Sequence, residues 1–228
     1  KGLAVRIRNV ADSYIMTVKI KVDDEIGISS RREWHVGVKN AELDPDYLRQ
    51  IPVPISLRPV LKNNVLQPLF KNHFDRLEWI LKVKETKMSL AFDSGFTVAG
   101  SRQSPISELE LELINGEIDV LIETGMSVAD LIPSYMAFIS KAERGHRILQ
   151  QSNPMEDRRP ECRFRLLKWM GRSLDPLSGP NFREASEALI KIGDPEAISQ
   201  FLGQIRNKTI PLGLARWMIT KARYWSPS

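Results

Sequence analysis

The chain has 228 residues, 42% of them apolar, with 33 Lys and Arg against 28 Asp and Glu for a net charge of +5. That length suits one to two domains, no apolar run approaches the ~20 residues of a membrane span, and the single cysteine, Cys162, excludes an intramolecular disulfide and a Cys/His metal cluster. With one cysteine the expected setting is a reducing cytoplasm, and no membrane partner is expected; the first residues carry no signal-peptide pattern.

The positive excess is local. Residues 155–228 hold 13 basic and 8 acidic side chains, whereas residues 1–154 hold 20 of each. Any positive potential in the longer part must come from placement. With no aromatic-basic recognition motif, the basic pI supports no nucleic-acid partner. Nothing in the pattern sets an oligomeric state.

Taken in chain order, Leu3–Arg8 alternates as a strand with Arg6 and Arg8 on one face. Tyr14–Val22 puts Met16, Val18 and Ile20 on one side and Thr17, Lys19 and Lys21 on the other. Arg31–Val36 is β-prone, with Arg31 and Glu33 sharing a face. A short helix is expected near Asp46–Gln50, then an irregular connection through Pro52, Pro54 and Pro59. Phe74–Val83 is a fourth strand, carrying Arg76 and Glu78. Lys87–Phe92 and Phe96–Gly100 flank Asp93-Ser94-Gly95, which reads as a hairpin turn because Gly supplies positive φ.

The segment Ser107-Glu-Leu-Glu-Leu-Glu-Leu113 has period two, so Glu108, Glu110 and Glu112 line one side. Neighbouring carboxylates then sit roughly 6–7 Å apart, from a rise of ~3.3 Å per residue. They need cations: metal, Lys or Arg, or open water. An ordinary solvated sheet face would supply water and cross-strand partners. A closed barrel would gather the charged stripes into a polar lumen. Periodicity alone leaves both open.

After this strand, Glu117–Glu123 reads as a helix stopped by Gly125, and Ser127 as the cap of a second, to about Ile132. Residues 153–160, polar and bounded by Pro154 and Pro160, form the expected linker between a domain at 1–152 and a helical region at 161–228. Beyond it Phe164, Leu167 and Met170 recur at helical spacing. Arg163, Arg165, Lys168 and Arg172 there make a basic, solvated face rather than an anion site. Asn181 caps Phe182–Ile192, Gly193 ends it, Asp194-Pro195 starts a helix to Asn207, and a last helix spans Leu214–Tyr224. Cys162, Trp169, Trp217 and Trp225 are read as packing residues, and His35 and His73 as surface or packing histidines.

One order of motifs runs through the chain: Val5-Arg-Ile-Arg8, Met16-Thr-Val-Lys19, Arg31-Arg-Glu33, Gln67-Pro-Leu-Phe70, Phe74-Asp-Arg76 and Leu90-Ala-Phe-Asp-Ser-Gly95. Pro105–Leu113, Gly116 and Ile139-Ser-Lys-Ala-Glu-Arg-Gly145 complete it. From Leu3 to about Pro154 it resembles the CYTH superfamily of triphosphate tunnel metalloenzymes, with the bacterial inorganic triphosphatases as the nearest subgroup. The resemblance implies an α+β fold: an antiparallel β tunnel or barrel, then a small all-α region. It implies hydrolysis of tripolyphosphate to pyrophosphate and phosphate with Mg²⁺ or Mn²⁺. By motif position, Arg6, Arg8, Lys19, Arg31, Arg76, Lys141 and Arg144 bind the phosphates. Asp93, Glu108, Glu110 and Glu112 hold metal, with Glu108 and Glu110 as catalytic carboxylates.

The family opens with Glu-x-Glu-x-Lys, and this stretch is absent from the 228 residues, which start beside the Arg6/Arg8 strand. The expectation is therefore a tunnel incomplete at its N-terminus, weak tripolyphosphate binding and slow or no hydrolysis. Glu78 and His146 also depart from the subgroup. The resemblance allows a short or partial CHAD-like domain at 161–228, although the tail is shorter and does not match its motif. Two alternatives stay open: a non-catalytic phosphate- or polyphosphate-binding module, and a same-fold enzyme for an organic triphosphate, a thiamine triphosphatase or an adenylate cyclase.

Overall fold

Six strands pair in sequence order into two antiparallel sheets. The structure, a computed structural model, describes residues 3–25, 28–62, 66–150, 163–175 and 180–225. They fall into two compact units, Lys1–Pro68 and Leu69–Ser228. The expected linker at 153–160 and Cys162 lie outside the described residues.

The first unit is a meander of β1 (Leu3–Val10), β2 (Ser13–Glu25) and β3 (Ile28–Val38), followed by α1 (Pro45–Gln50), a 3-10 turn and α2 (Arg58–Lys62). Asp44 caps α1 by accepting from the Asp46 N–H at 2.8 Å, with Pro45 next, where its missing N–H costs nothing. Met16 and Val18 are fully buried, and Val5, Ile7, Trp34 and Val36 pack with them against Leu48, Ile51 and Leu61. The alternation thus gives the sheet one apolar face covered by helices and one charged face.

In the second unit β4 (Lys71–Val83), β5 (Thr86–Ala99) and β6 (Arg102–Asn115) form the other meander. Then come α3 (Ile118–Ala129), α4 (Lys141–Gln150), α5 (Arg163–Leu174), α6 (Phe182–Ile192), α7 (Pro195–Arg206) and α8 (Leu214–Trp225). The antiparallel α+β character is as expected. Among the described residues, however, no ladder closes these strands into a barrel.

Two local expectations are corrected. Asp93-Ser94-Gly95 is not a turn: β5 runs straight through it, paired on both sides. Gly95 serves close approach instead, since a Cβ there would lie 2.1 Å from the His73 carbonyl oxygen. The chain reverses at Gly100, whose φ is +60°. Likewise α3 is one helix through Gly125, and the Ser127 hydroxyl donates to the Glu123 carbonyl at 2.9 Å rather than capping a new helix.

The C-terminal helices form as the sequence indicates. Asn181 Oδ1 accepts from the Glu184 N–H, Gly193 takes the left-handed conformation at φ +70°, and Asp194 Oδ1 accepts from the Ala197 N–H. Their apolar faces bury Leu167, Met170, Leu189, Phe201, Ile205 and Met218. Arg163 and Arg165 of α5 are exposed. Trp217 meets Phe201 and Trp225 edge to face. Salt bridges from Arg216 to Asp130 and from Arg223 to Asp119, the latter 2.8 Å, fasten α8 to α3. No helix among the described residues is long and apolar enough to cross a membrane.

Candidate metal centre

The β-ladder brings the acids of the second unit together. Arg76 stands opposite Asp93, and Asp93 opposite Glu108, with Glu110 two residues along on the same face. One carboxylate oxygen from each of Asp93, Glu108 and Glu110 lies within 4.8 Å of the others. Asp93 is fully buried, Glu108 mostly so, and Glu110 half-exposed. Glu112, next on that face, stands opposite Ser89, is exposed, and lies outside this group.

The cations come from β4 and α4. Arg76 donates through Nε and Nη2 to the two oxygens of Asp93 at 2.6 and 2.7 Å, and through Nη2 to Glu110 at 2.6 Å. Ser140 starts α4: its Oγ accepts from the Glu143 N–H at 3.2 Å. Lys141 and Arg144 then share a helix face by their spacing of three. Lys141 Nζ reaches Asp93 at 2.7 Å, Glu110 at 2.9 Å, and Glu108. Arg144, almost wholly buried, meets Glu108 Oε2 at 3.1 Å and Asp175 Oδ2 at 3.0 Å.

Two glycines allow this assembly. A Cβ on Gly145 of α4 would stand 2.2 Å from the Phe70 ring, so only glycine lets the helix lie that close. Gly95 leaves room for Phe74, whose ring lies beneath both Arg76 and Lys141 at 5.8 and 5.5 Å. Glu78 accepts a hydrogen bond from the Ser89 hydroxyl at 2.5 Å. His146 is exposed on α4.

Electrostatics follow from this packing. Burial alone would raise Asp93, but hydrogen bonds from Arg76 and Lys141 hold it below the usual carboxylate range. Glu110 is lowered too, since the Lys141 charge and hydrogen bond outweigh its burial. Lys141 is raised: burial disfavours its charge, and Glu110 and Glu108 more than offset this. Asp93 and Glu110 are therefore ionised at neutral pH, and three basic side chains face the three carboxylates. Their hard oxygen donors suit Mg²⁺ or Mn²⁺, which take carboxylates together with substrate phosphates.

The other expected phosphate ligands lie in the first unit. By register, Arg6, Arg8, Lys19 and Arg31 share the face of that sheet opposite its apolar core. Arg31 is exposed, and Arg6 and Arg8 are half-buried. Lys19 forms an ion pair with Glu33 across the ladder, and Thr17 bonds His35 Nδ1 at 3.0 Å beside it. Burial holds Lys19 below the ordinary lysine range despite Glu33, with Arg6 adding to the effect.

Asp175 and Phe74 are the contributors that sequence reasoning did not single out for the site. Asp175 precedes a proline at a helix end, which reads as punctuation. Only the fold shows that it reaches Arg144.

No family model matches the chain. It is similar to an inorganic triphosphatase of Haemophilus influenzae, 29% identical over 149 residues, which cover 63% of this chain and 40% of that protein. The chain thus spans about two fifths of the length of this curated relative.

Proposed function

We propose that this chain carries the site of a metal-dependent hydrolase acting on inorganic triphosphate, with pyrophosphate and phosphate as products. The supporting observation is that Asp93, Glu108 and Glu110 gather with Arg76, Lys141 and Arg144. Oxygen donors for a divalent cation stand beside nitrogen donors for phosphoryl oxygens on Arg76 and Lys141, while Arg144, almost wholly buried, gives both Nη groups to Glu108 and Asp175. Similarity to an inorganic triphosphatase points the same way.

Asp93, Glu108 and Glu110 are the residues that would hold Mg²⁺ or Mn²⁺. Bound there, the ion supplies neutralisation of phosphoryl charge and a water of lowered pKa. The chain's own residues do the positioning. Lys141, an ammonium on a flexible four-carbon stem, can exchange carboxylate for phosphate acceptors. Arg76 offers a planar fork suited to phosphoryl oxygens while Asp93 anchors its Nε. Phosphoryl transfer asks mainly for positioning and charge neutralisation, and these side chains provide both. The face with Arg6, Arg8, Lys19 and Arg31 is proposed, on its own geometry, as a phosphate-binding surface.

One observation favours a second reading, a tripolyphosphate-binding module with little turnover: each of the three acids is already paired with a basic side chain of the same unit. Phosphate release from tripolyphosphate with Mg²⁺, run beside thiamine triphosphate and ATP, tests both. Tripolyphosphate is expected to bind and to be hydrolysed slowly, with Mg²⁺-dependent release that Glu110→Gln abolishes. Binding without any release supports the second reading. Faster turnover of an organic triphosphate, or release indifferent to Mg²⁺, would overturn the first.

A further inference from the structure

Arg144 joins the acid cluster to the helical end of the chain. Its guanidinium is almost wholly buried and divides its fork, Nη1 to Glu108 Oε2 and Nη2 to Asp175 Oδ2. Asp175 is itself 97% buried and sits immediately after α5. That corner is tied down: the Asp175 N–H donates to the Arg172 carbonyl at 3.3 Å, and the Asn181 N–H to the Ser173 carbonyl at 2.7 Å. Gly171 brings α5 close to the segment before α4, where a Cβ would stand 2.7 Å from the Met136 carbonyl oxygen. Asp175 is thus a fixed carboxylate on a packed scaffold.

The division of the fork matters for Glu108. With one Nη given to Asp175, Arg144 takes a single oxygen of Glu108, and Oε1 pairs with Lys141 Nζ, which also holds Asp93 and Glu110. A guanidinium without that second acceptor tends to pair bidentately with the carboxylate it still holds. Both oxygens of Glu108 would then turn to Arg144, away from the cluster. A buried guanidinium stripped of one partner is also strongly disfavoured, which adds to the drive for such rearrangement.

We propose that Asp175, from the helical region, is a positioning residue: it splits Arg144 between two carboxylates and so keeps Glu108 Oε1 presented to the cluster. The proposal rests on the reading of Asp93, Glu108 and Glu110 as a metal site. It makes the helical region part of the site.

The test is Mn²⁺ binding by calorimetry on the full chain, with melting followed in parallel. Asp175→Asn is expected to weaken Mn²⁺ about tenfold, the lower end of what supporting groups contribute to metal affinity. Asp175→Glu, which keeps the charge, is expected to recover most of this. In an Arg144→Gln background, Asp175→Asn is expected to add little further loss, because its route runs through Arg144. A lowered melting temperature with unchanged Mn²⁺ affinity in folded Asp175→Asn would overturn the proposal, as would full additivity with Arg144→Gln. Should Asp175→Asn fail to fold, weak binding by folded Asp175→Glu, no better than by Arg144→Gln, would count against it equally. Absence of Mn²⁺ binding in the wild type would instead remove the metal-site reading, and this proposal with it.

Discussion

The two sheets share a plan and differ in what they bury. Each is a three-stranded antiparallel meander with one face of ionic side chains. In the first, among the described residues, that face carries Arg6, Arg8, Lys19 and Arg31, with Glu33 as the carboxylate paired to Lys19. In the second, Asp93 is fully buried beneath α4, and three acids are held by three cations. On the first face Arg31 is open to solvent, and Lys19 is mostly buried in its pair with Glu33. In the second the acids are closed by internal counter-ions, so the proposed cation binding would require Lys141 to give up its carboxylate partners.

The largest contrast should come from removing one acid in each sheet. Asp93→Ala removes a fully buried partner from both Arg76 and Lys141, leaving them only Glu110 and Glu108, and should cost about 3 kcal/mol in urea denaturation. Glu33→Ala leaves Lys19, already depressed and partly exposed, and should cost about 1 kcal/mol or less. Equal losses would erase the distinction.

Paired glycine replacements sharpen it at the backbone. Gly95→Ala forces a Cβ against the His73 carbonyl and Phe74 Cα, and should lower stability by about 1–3 kcal/mol. Gly37→Ala, in β3 with nothing within 4 Å, should change it by less than about 0.5 kcal/mol.

The lysines should titrate in opposite directions. Lys19 should lose its proton below the ordinary lysine range, and Lys141 above it, as followed by NMR of the side-chain nitrogens. Lys141 is raised, so its contribution is complete below the unfolded value of about 10.4 and is lost as pH climbs through the folded one. Lys19 is lowered, so its burial cost fades as pH rises above its folded value. Asp93 and Glu110 are lowered, so their contribution stands above the unfolded values of about 4 and goes as pH falls through the folded ones. A higher titration point for Lys19 than for Lys141 would contradict the packing described.

The smallest effect is expected at Glu112. It shares the strand face with Glu108 and Glu110 but stands exposed opposite Ser89. Glu112→Gln should alter Mn²⁺ affinity less than about twofold, whereas Glu110→Gln should lower it severalfold or more.

What could be read in advance was whatever repeats locally. Period two placed the strands and the shared faces of Arg6 with Arg8 and Glu108 with Glu110. Side-chain caps at Asn181 and Asp194 placed two helices. Gly95 misled because glycine serves both turns and close approach, and only the partner strand decides between them. Gly125 and Ser127 misled because packing of α3 outweighs their modest helix-breaking tendency. The motif order pointed to Lys141 and Arg144 as phosphate ligands, but their placement against the acids depends on α4 docking through Gly145 on Phe70. Asp175 was invisible because its partner is 31 residues away.

Asp93, Glu108 and Glu110 are proposed as a divalent-cation site that works with triphosphate. Mn²⁺ titration of the wild-type chain and of Glu110→Gln, each with and without tripolyphosphate, tests it most directly. Wild-type binding is expected to tighten when tripolyphosphate is present and to be largely lost in Glu110→Gln. Equal Mn²⁺ binding by the two proteins, unaffected by tripolyphosphate, would contradict it.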